Sequence, residues 1–328
     1  MIVLGVDVSK AKLDAALWLP ALRKWYACKV DNDELGIGKL LVWACAKSGV
    51  SADQIRVVME ATGVYHELAA ETLHDAGCRV VVANPKRARD FAKGLGLLSK
   101  TDTIDARALA RYGEVGEAQT WQPPALEVRM LRALLARLAA VDEDLQREEN
   151  RWEKAQISQT PDVVRQSLQR SIEILRQEAA RLRKAIDDHY DQHPGLKAER
   201  DLLRSIPAVG EVSANHLLCL LRGRHLNSAR QAAALSGLVP VEYSSGSSVR
   251  GKPQLSKQGN PRLRRVLYMA SVSALIHNRE LRAIYDRLVA NGKAKLAALG
   301  ALMRHIVHIA FGVLKHQKPY NPALVSKI

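Results

Sequence analysis

The sequence predicts an α/β N-terminal domain, a helical middle with coiled-coil seams, and a mainly α, strongly basic C-terminal domain. Three observations lead there. Over residues 1–115, short runs rich in Val and Ile alternate with segments of helical period. Two of those runs are close enough to form a hairpin, so a mixed sheet with flanking helices is expected. After Trp121-Gln122-Pro123-Pro124 the apolar spacing changes to heptads. The net charge of +15 is also uneven, being +3 over 1–100, −2 over 101–200 and +14 over 201–328. The expected domain bounds are 1–120, 121–195 and 196–328.

Ile2 to Val8 and Leu13 to Leu19 read as strands joined by the polar turn Ser9-Lys10-Ala11-Lys12. Glu34 to Lys47 has helical spacing. Ile55 to Met59 is a third strand and ends at Glu60. The segment after Gly63 reads as a helix closed by Gly77. Arg79 to Ala83 is a Val-rich strand stopped by Asn84-Pro85. Helices are expected over Lys86 to Leu97 and from Asp102 to about Tyr112.

In the middle, Leu131, Leu134, Leu138, Val141 and Leu145 form one narrow seam. Leu168, Ile172, Leu175, Ala179, Leu182 and Ile186 form a second. Such seams bury against another helix, so the two pack on each other or zip onto a second subunit, and a homo-oligomer is expected. The final third is read as helical, with a helix–turn–helix junction at Leu202 to Gly210, one polar loop over Glu242 to Gln258, and a last helix from about Leu296 to Lys315.

Composition narrows the class. With 47% hydrophobic and 25% charged residues the chain has a globular balance, which excludes wholesale disorder. Cys28, Cys45, Cys78 and Cys219 make no C-x-x-C pair, which argues against a zinc knuckle or a disulfide scaffold. No signal peptide is read, and the longest uncharged apolar run, Val266 to His277, is too short to cross a bilayer. A cytoplasmic protein with no membrane partner is expected. The basic C-terminal third points to a polyanion, most simply nucleic acid.

Carboxylates stand where plain structure does not want them. Asp7 interrupts Ile2-Val3-Leu4-Gly5-Val6-Asp7-Val8, and Glu60 follows Val57-Val58-Met59. Asp102 and Asp105 lie three apart, which on a helix puts them on one face about 5–6 Å apart at Cβ. Like charges so placed suit a cation between them, and carboxylate oxygens suit magnesium or manganese. The structural alternatives are an N-cap at Asp102 with Asp105 in the first turn, and an exposed strand end at Glu60. Asp7 resists such a reading, because a carboxylate in a buried strand is costly unless paired.

Tyr243 to Lys252 sets five hydroxyls beside Arg250 and Lys252. Arg250 and Lys252 suit a phosphate, and the hydroxyls are either nucleophile candidates or phosphate ligands in a flexible loop. Arg262 and Arg265, after Pro261, share a helix face that suits a nucleic-acid backbone. Ala208 stands where phosphate-gripping hairpins commonly have glycine. His305 and His308 fall on the polar side of the last helix and are expected to be solvated or DNA-facing.

The motifs G-V-D-V-S-K at 5–10, M-E-A-T-G at 59–63, N-P at 84–85 and K-T-D-T-I-D-A-R at 100–107 resemble the DEDD transposases of bacterial insertion sequences, the one-ten family, with relatives among Piv-type DNA invertases. S-I-P-x-V-G at 205–210, S-G-L-V-P at 236–240 and S-G-S-S-V-R-G at 245–251 extend the resemblance along the chain. It implies an RNase H-like, RuvC-like N-terminal domain whose tetrad Asp7, Glu60, Asp102 and Asp105 binds Mg2+ or Mn2+. It further implies a coiled coil and a C-terminal transposase domain with a serine nucleophile, placed at Ser245. The implied activity is a DNA transposase or recombinase that works through a phosphoserine intermediate. The implied partners are donor and target DNA, a non-coding bridge RNA, and further copies of the chain, as a dimer or a synaptic tetramer. The rival is a metal-dependent, RuvC-like nuclease or resolvase that uses water and forms no covalent intermediate. An ATP-binding protein of the actin type is disfavoured because Val8-Ser9-Lys10 supplies no glycine-rich phosphate loop.

Overall fold

The computed structural model describes residues 2–97, 101–115, 119–245 and 249–325 of the chain, with side chains described except at 243–245, 249–253 and 324–325. Contacts divide it into two units, Met1–Pro123 and Pro124–Ile328.

The N-terminal unit opens with β1 (Ile2–Val8), β2 (Lys12–Leu19) and β3 (Lys24–Asp31), followed by α1 (Glu34–Ser48), β4 (Ile55–Glu60), α2 (Glu67–Asp75), β5 (Arg79–Ala83), α3 (Pro85–Gly94) and α4 (Asp102–Val115). The sheet order is β3-β2-β1-β4-β5. β2 runs antiparallel to β1 and β3, while β4 runs parallel to β1 and β5. The expected hairpin forms, and the Ser9 hydroxyl closes its turn by donating to the Lys12 carbonyl at 2.8 Å.

Strand β3 was not expected. It is an edge strand whose exposed positions include Lys24, Lys29 and Asp31, so its sequence lacks a strong apolar alternation. Helix α1 starts where Asp33 accepts the Gly36 N–H at 2.7 Å and stops at Gly49, which takes a positive φ. Asn84 caps α3 by accepting from the Lys86 N–H at 3.0 Å, and Pro85 fits the first helical position. Helix α3 ends at Gly94, before the expected Leu97.

The two sheet faces bury different helices. Leu4, Val6, Val57 and Met59 pack with Ile37, Leu40 and Ala44 of α1 and Leu73 of α2. Val3, Val58 and Val81 pack with Ala88 of α3 and Leu109 and Ala110 of α4. On this second face Gly5 is decisive. A Cβ there would lie 2.0 Å from the Ala106 carbonyl oxygen and 2.4 Å from the Ala110 nitrogen of α4. Farther along the helix, the Arg111 guanidinium sits 4.2 Å from the centre of the Trp18 ring, and Trp18 stacks on Trp25 at 4.8 Å.

The second unit begins with α5 (Leu126–Ile157) and α6 (Asp162–Gln192), whose heptad seams meet each other within the chain. Val141, Ala179 and Leu182 are buried together against Leu134, Leu138 and Leu175. The pairs Glu149–Arg176 at 2.8 Å and Asp142–Arg183 at 2.7 Å show the antiparallel register. Within the chain, the two seams pack on each other.

There follow α7 (Pro194–Arg204), α8 (Glu211–Arg222), α9 (Ala229–Leu235), β6 (Pro240–Ser245), β7 (Val249–Leu255), α10 (Pro261–His277), α11 (Arg279–Ala290) and α12 (Lys295–His316). The segment expected as a polar loop is therefore a two-stranded antiparallel hairpin. Its Ser- and Gly-rich composition concealed the strands. Val128, Leu131 and Leu135 of α5, with Ile186 and Tyr190 of α6, share one core with Leu217, Leu267, Leu302 and Ile306. The heptad helices and the basic helices are accordingly one body. α12 is long and apolar enough to cross a membrane by length and composition, but half of the relevant stretch is buried in that core.

The α4–β1 contact gives the first prediction. Gly5→Ala forces two backbones apart, at a cost of about 2–3 kcal/mol for overpacking. Urea denaturation should show that loss, with faster amide exchange in β1 and α4. Unchanged stability would mean the helix is not seated on the strand.

Candidate active site

Strand alternation settles where Asp7 points. Val3, Gly5 and Asp7 share one face of β1, and Gly5 is where α4 rests. In the parallel pairing Gly5 lies opposite Val58 and Val6 opposite Met59, so Glu60 ends β4 beside Asp7. Val58 packs on the α4 side, and two residues on Glu60 is on that side as well. Both acids thus stand at the carboxyl ends of adjacent parallel strands, the usual position for a site in an α/β sheet.

Helix α4 supplies the other two. Its first turn is capped by Thr101, whose hydroxyl oxygen accepts the Ile104 N–H at 3.3 Å. The cap is therefore Thr101, not Asp102, and both Asp102 and Asp105 lie in the first turn. Asp105, Asp102 and Glu60 all lie near enough to Asp7 for its carboxyl to feel their charge. Burial pushes the Asp7 carboxyl up to about 6, and Asp105, Asp102, Glu60 and Asp14 add to the shift in that order.

Two members of this neighbourhood escaped sequence reasoning. Asp14 is the register partner of Asp7 across the β1–β2 hairpin, and Lys29 is the partner of Asp14 on β3. The Lys29 ammonium lies 2.9 Å from Asp14 Oδ2 and 3.8 Å from Asp102 Oδ2. Counting back across the Ser9–Lys12 turn would have found Asp14. Lys29 was out of reach because β3 was not foreseen.

The donor set is all carboxylate oxygen, which suits magnesium or manganese, and its mutual repulsion is what a divalent ion relieves. Among the described residues no three such donors stand close enough to enclose an ion. The acids are gathered, not closed around a centre.

In the second unit, Ser245 ends β6 opposite Val249. The side chains of Ser245, Arg250 and Lys252 lie outside the described residues. Arg262 is engaged by Glu143 of α5 at 2.7 Å, and that guanidinium holds the Glu143 carboxyl below its ordinary value. Arg262 is thus ion-paired in the chain by itself, whereas Arg265 is exposed. Arg264 turns inward to donate to the Gly259 carbonyl at 3.0 Å.

His305 and His308 are half-buried rather than solvated. Burial, then Arg304, pushes His308 down to about 4, and burial lowers His305 as well. Ala208, at the helix–turn–helix junction, takes a φ of +80°, the left-handed backbone that glycine would adopt without strain.

Residues 4–157 match a family model described as a transposase, of the DEDD IS110 type, and residues 200–286 match the transposase IS116/IS110/IS902 family. The pilin gene-inverting protein of Moraxella bovis is 29% identical over 323 residues, covering 97% of each chain. Its counterpart in Moraxella lacunata is 28% identical over the same span. The IS110 43.6 kDa protein of Streptomyces coelicolor is 29% identical over 170 residues, which is 52% of this chain and 41% of that protein.

The crowding at Asp7 has a pH signature. Its folded value lies above the ordinary 3.8, so the folded chain keeps a proton that the unfolded chain has lost, and stability falls as pH rises from about 4 to about 6. In chelator, Asp7→Asn should therefore stabilise the protein above pH 6 by about 1–2 kcal/mol, discounted for partial exposure, with the gain vanishing near pH 4. Urea titrations at the two pH values check it. An effect equal at both would show that the Asp7 carboxyl is not raised by burial and its acidic neighbours.

Proposed function

This chain belongs to the IS110/Piv-type family of DNA transposases and invertases, and from that premise we propose that Ser245 is the nucleophile of a bridge-RNA-guided recombination assisted by a metal-binding acid tetrad. The observation that supports the reading is that Asp7 and Glu60 stand at the carboxyl ends of adjacent parallel strands, with Asp102 and Asp105 of α4 near enough to raise the Asp7 carboxyl. A strand order of β3-β2-β1-β4-β5, with acids at the ends of β1 and β4, supports an RNase H-like, RuvC-like N-terminal domain.

DNA is the substrate of this family. The Ser245 hydroxyl gives up its proton as Oγ attacks phosphorus. An Oγ–P bond forms, and the strand's P–O bond breaks with the departing oxygen taking up a proton. A hydroxyl of the new partner strand then attacks the phosphoserine, which restores a phosphodiester and frees the serine. The backbone is rejoined with no net hydrolysis. Asp7, Glu60, Asp102 and Asp105 would hold the divalent ion, magnesium or manganese, which supplies Lewis acidity at the phosphate oxygens. Arg250, Lys252, Arg262 and Arg265 steady the nucleic-acid backbone, Arg262 after leaving Glu143. A non-coding bridge RNA from the element selects donor and target, and the reaction runs in the cytoplasm in a dimer or tetramer. The division of labour is a tetrad domain over 1–120, coiled-coil helices over 121–195 and a transposase domain over 196–328.

The serine is the discriminating residue. With labelled donor DNA, wild-type protein should yield a covalent adduct on a denaturing gel, mapped by mass to Ser245. Ser245→Ala should lose the adduct and recombination yet keep DNA affinity within about twofold, since one hydroxyl adds little to binding governed by Lys and Arg contacts. Asp102→Asn should lose recombination while the fold stays intact. Cleavage that persists in Ser245→Ala, with no adduct in any variant, would favour a water-using nuclease. RNA that co-purifies from cells carrying the flanking DNA tests the guide.

A further inference from the structure

Five carboxylates crowd one edge of the N-terminal sheet, and Lys29 is a cation reaching into them. Its placement follows from the pleat. Asp7, Asp14 and Lys29 are register partners in sequence across β1, β2 and β3, so all three side chains leave the sheet on the face that carries α4. From there the Lys29 ammonium spans two elements, at 2.9 Å from Asp14 on β2 and 3.8 Å from Asp102 on α4.

The two contacts are unequal in a telling way. The Asp14 side chain is only 17% exposed and takes the short contact, whereas Asp102 is 67% exposed and takes the long one. Lys29 is anchored on Asp14 and leans on Asp102. Asp14 adds to the charge felt by Asp7, so it belongs to the same electrostatic neighbourhood without being one of the tetrad.

We propose that Lys29 is a positioning residue of the carboxylate site: anchored by Asp14, its ammonium is the built-in counter-ion that holds Asp102 in the metal-free chain and gives Asp102 up when a divalent ion binds. This rests on the tetrad being a metal site. In this role the pair Asp14–Lys29 sets how tightly the site takes its ion. Lys29 opposes the arriving cation, and Asp14 restrains Lys29 from moving farther onto the tetrad.

The two substitutions therefore act in opposite directions. Lys29→Gln removes a positive charge near the ion and should tighten Mn2+ binding by about three- to tenfold, from a screened charge a few ångströms away. Asp14→Asn removes a negative charge and releases the ammonium toward Asp102, and should weaken binding by a similar factor. Lys29→Arg should stay near wild type. The measurements are Mn2+ titration by electron paramagnetic resonance on the full chain, and melting temperature in excess chelator. In chelator, Lys29→Gln should melt lower than wild type, and adding Asp14→Asn should restore part of the loss.

Mn2+ affinities that are unchanged in both single variants, or that move in the same direction, would overturn the proposal, as would an unchanged melting temperature for Lys29→Gln in chelator. Failure of the tetrad reading looks different. Wild type and Asp7→Asn would then both fail to bind Mn2+, while the chelator measurement would still decide whether Lys29 is the counter-ion.

Discussion

The N-terminal unit depends on how closely α4 can lie against β1. A strand face with side chains at every second position would hold the helix off by the thickness of those side chains. Gly5 removes one of them where the carbonyl of Ala106 and the nitrogen of Ala110 come down onto the strand. Because Asp7 is the next residue on that face, the approach that seats the helix also lowers its first turn toward Asp7. The far end is fixed separately, by Arg56 donating to the Gly113 carbonyl at 3.0 Å and by Arg111 over Trp18. A helix pinned at both ends cannot relieve the crowding of its acids by sliding.

That crowding is unfavourable, and the fold offsets only part of it. Asp102 and Asp105 occupy the first turn of α4, where the helix dipole favours negative charge, and Thr101 satisfies a free N–H there. Lys29 answers Asp14 directly and Asp102 at arm's length. What remains falls on Asp7, which is buried and surrounded and whose carboxyl is raised accordingly. A group left so unfavourable in the folded state is a local conflict of the kind proteins keep where function requires it.

The legible parts of this arrangement are those written in one short segment each. Short apolar runs around a polar turn gave β1 and β2, the Val runs gave β4 and β5, and Asn84-Pro85 marked the end of β5. The four acids stood out because Asp7 interrupts an apolar run, Glu60 follows one, and Asp102 and Asp105 are spaced three apart. The parts that escaped are relational. β3 has polar exposed positions and becomes a strand by pairing with β2, so Lys29 had no address. The hairpin at Pro240–Leu255 carries Ser and Gly where strand propensity is weak, and its pairing is what makes it a sheet. The heptad seams were plain, but a seam does not say which helix it meets, and the short connection between Ile157 and Asp162 favours the hairpin. His305 and His308 looked polar by type, yet the helix turns them partly into the core.

Charge pairing separates two kinds of arginine in the second unit. On α5 and α6 several arginines have acid partners, such as Asp142 for Arg183 and Glu149 for Arg176, which fits a middle region of nearly balanced charge. Over 201–328 there are 19 basic residues and 5 acidic ones, so positive charge is in large excess there even where a neighbouring segment lends an acid, as Glu143 does to Arg262. That asymmetry complements the first unit. A cluster of carboxylates repels a phosphate backbone, and so cannot by itself draw DNA to the place where its chemistry would occur. The attraction has to come from elsewhere in the chain, and the last third holds nearly all of the excess positive charge. A polyanion drawn by that charge releases counterions as it binds, so its affinity falls steeply with salt, while the acid cluster contributes no attraction of its own.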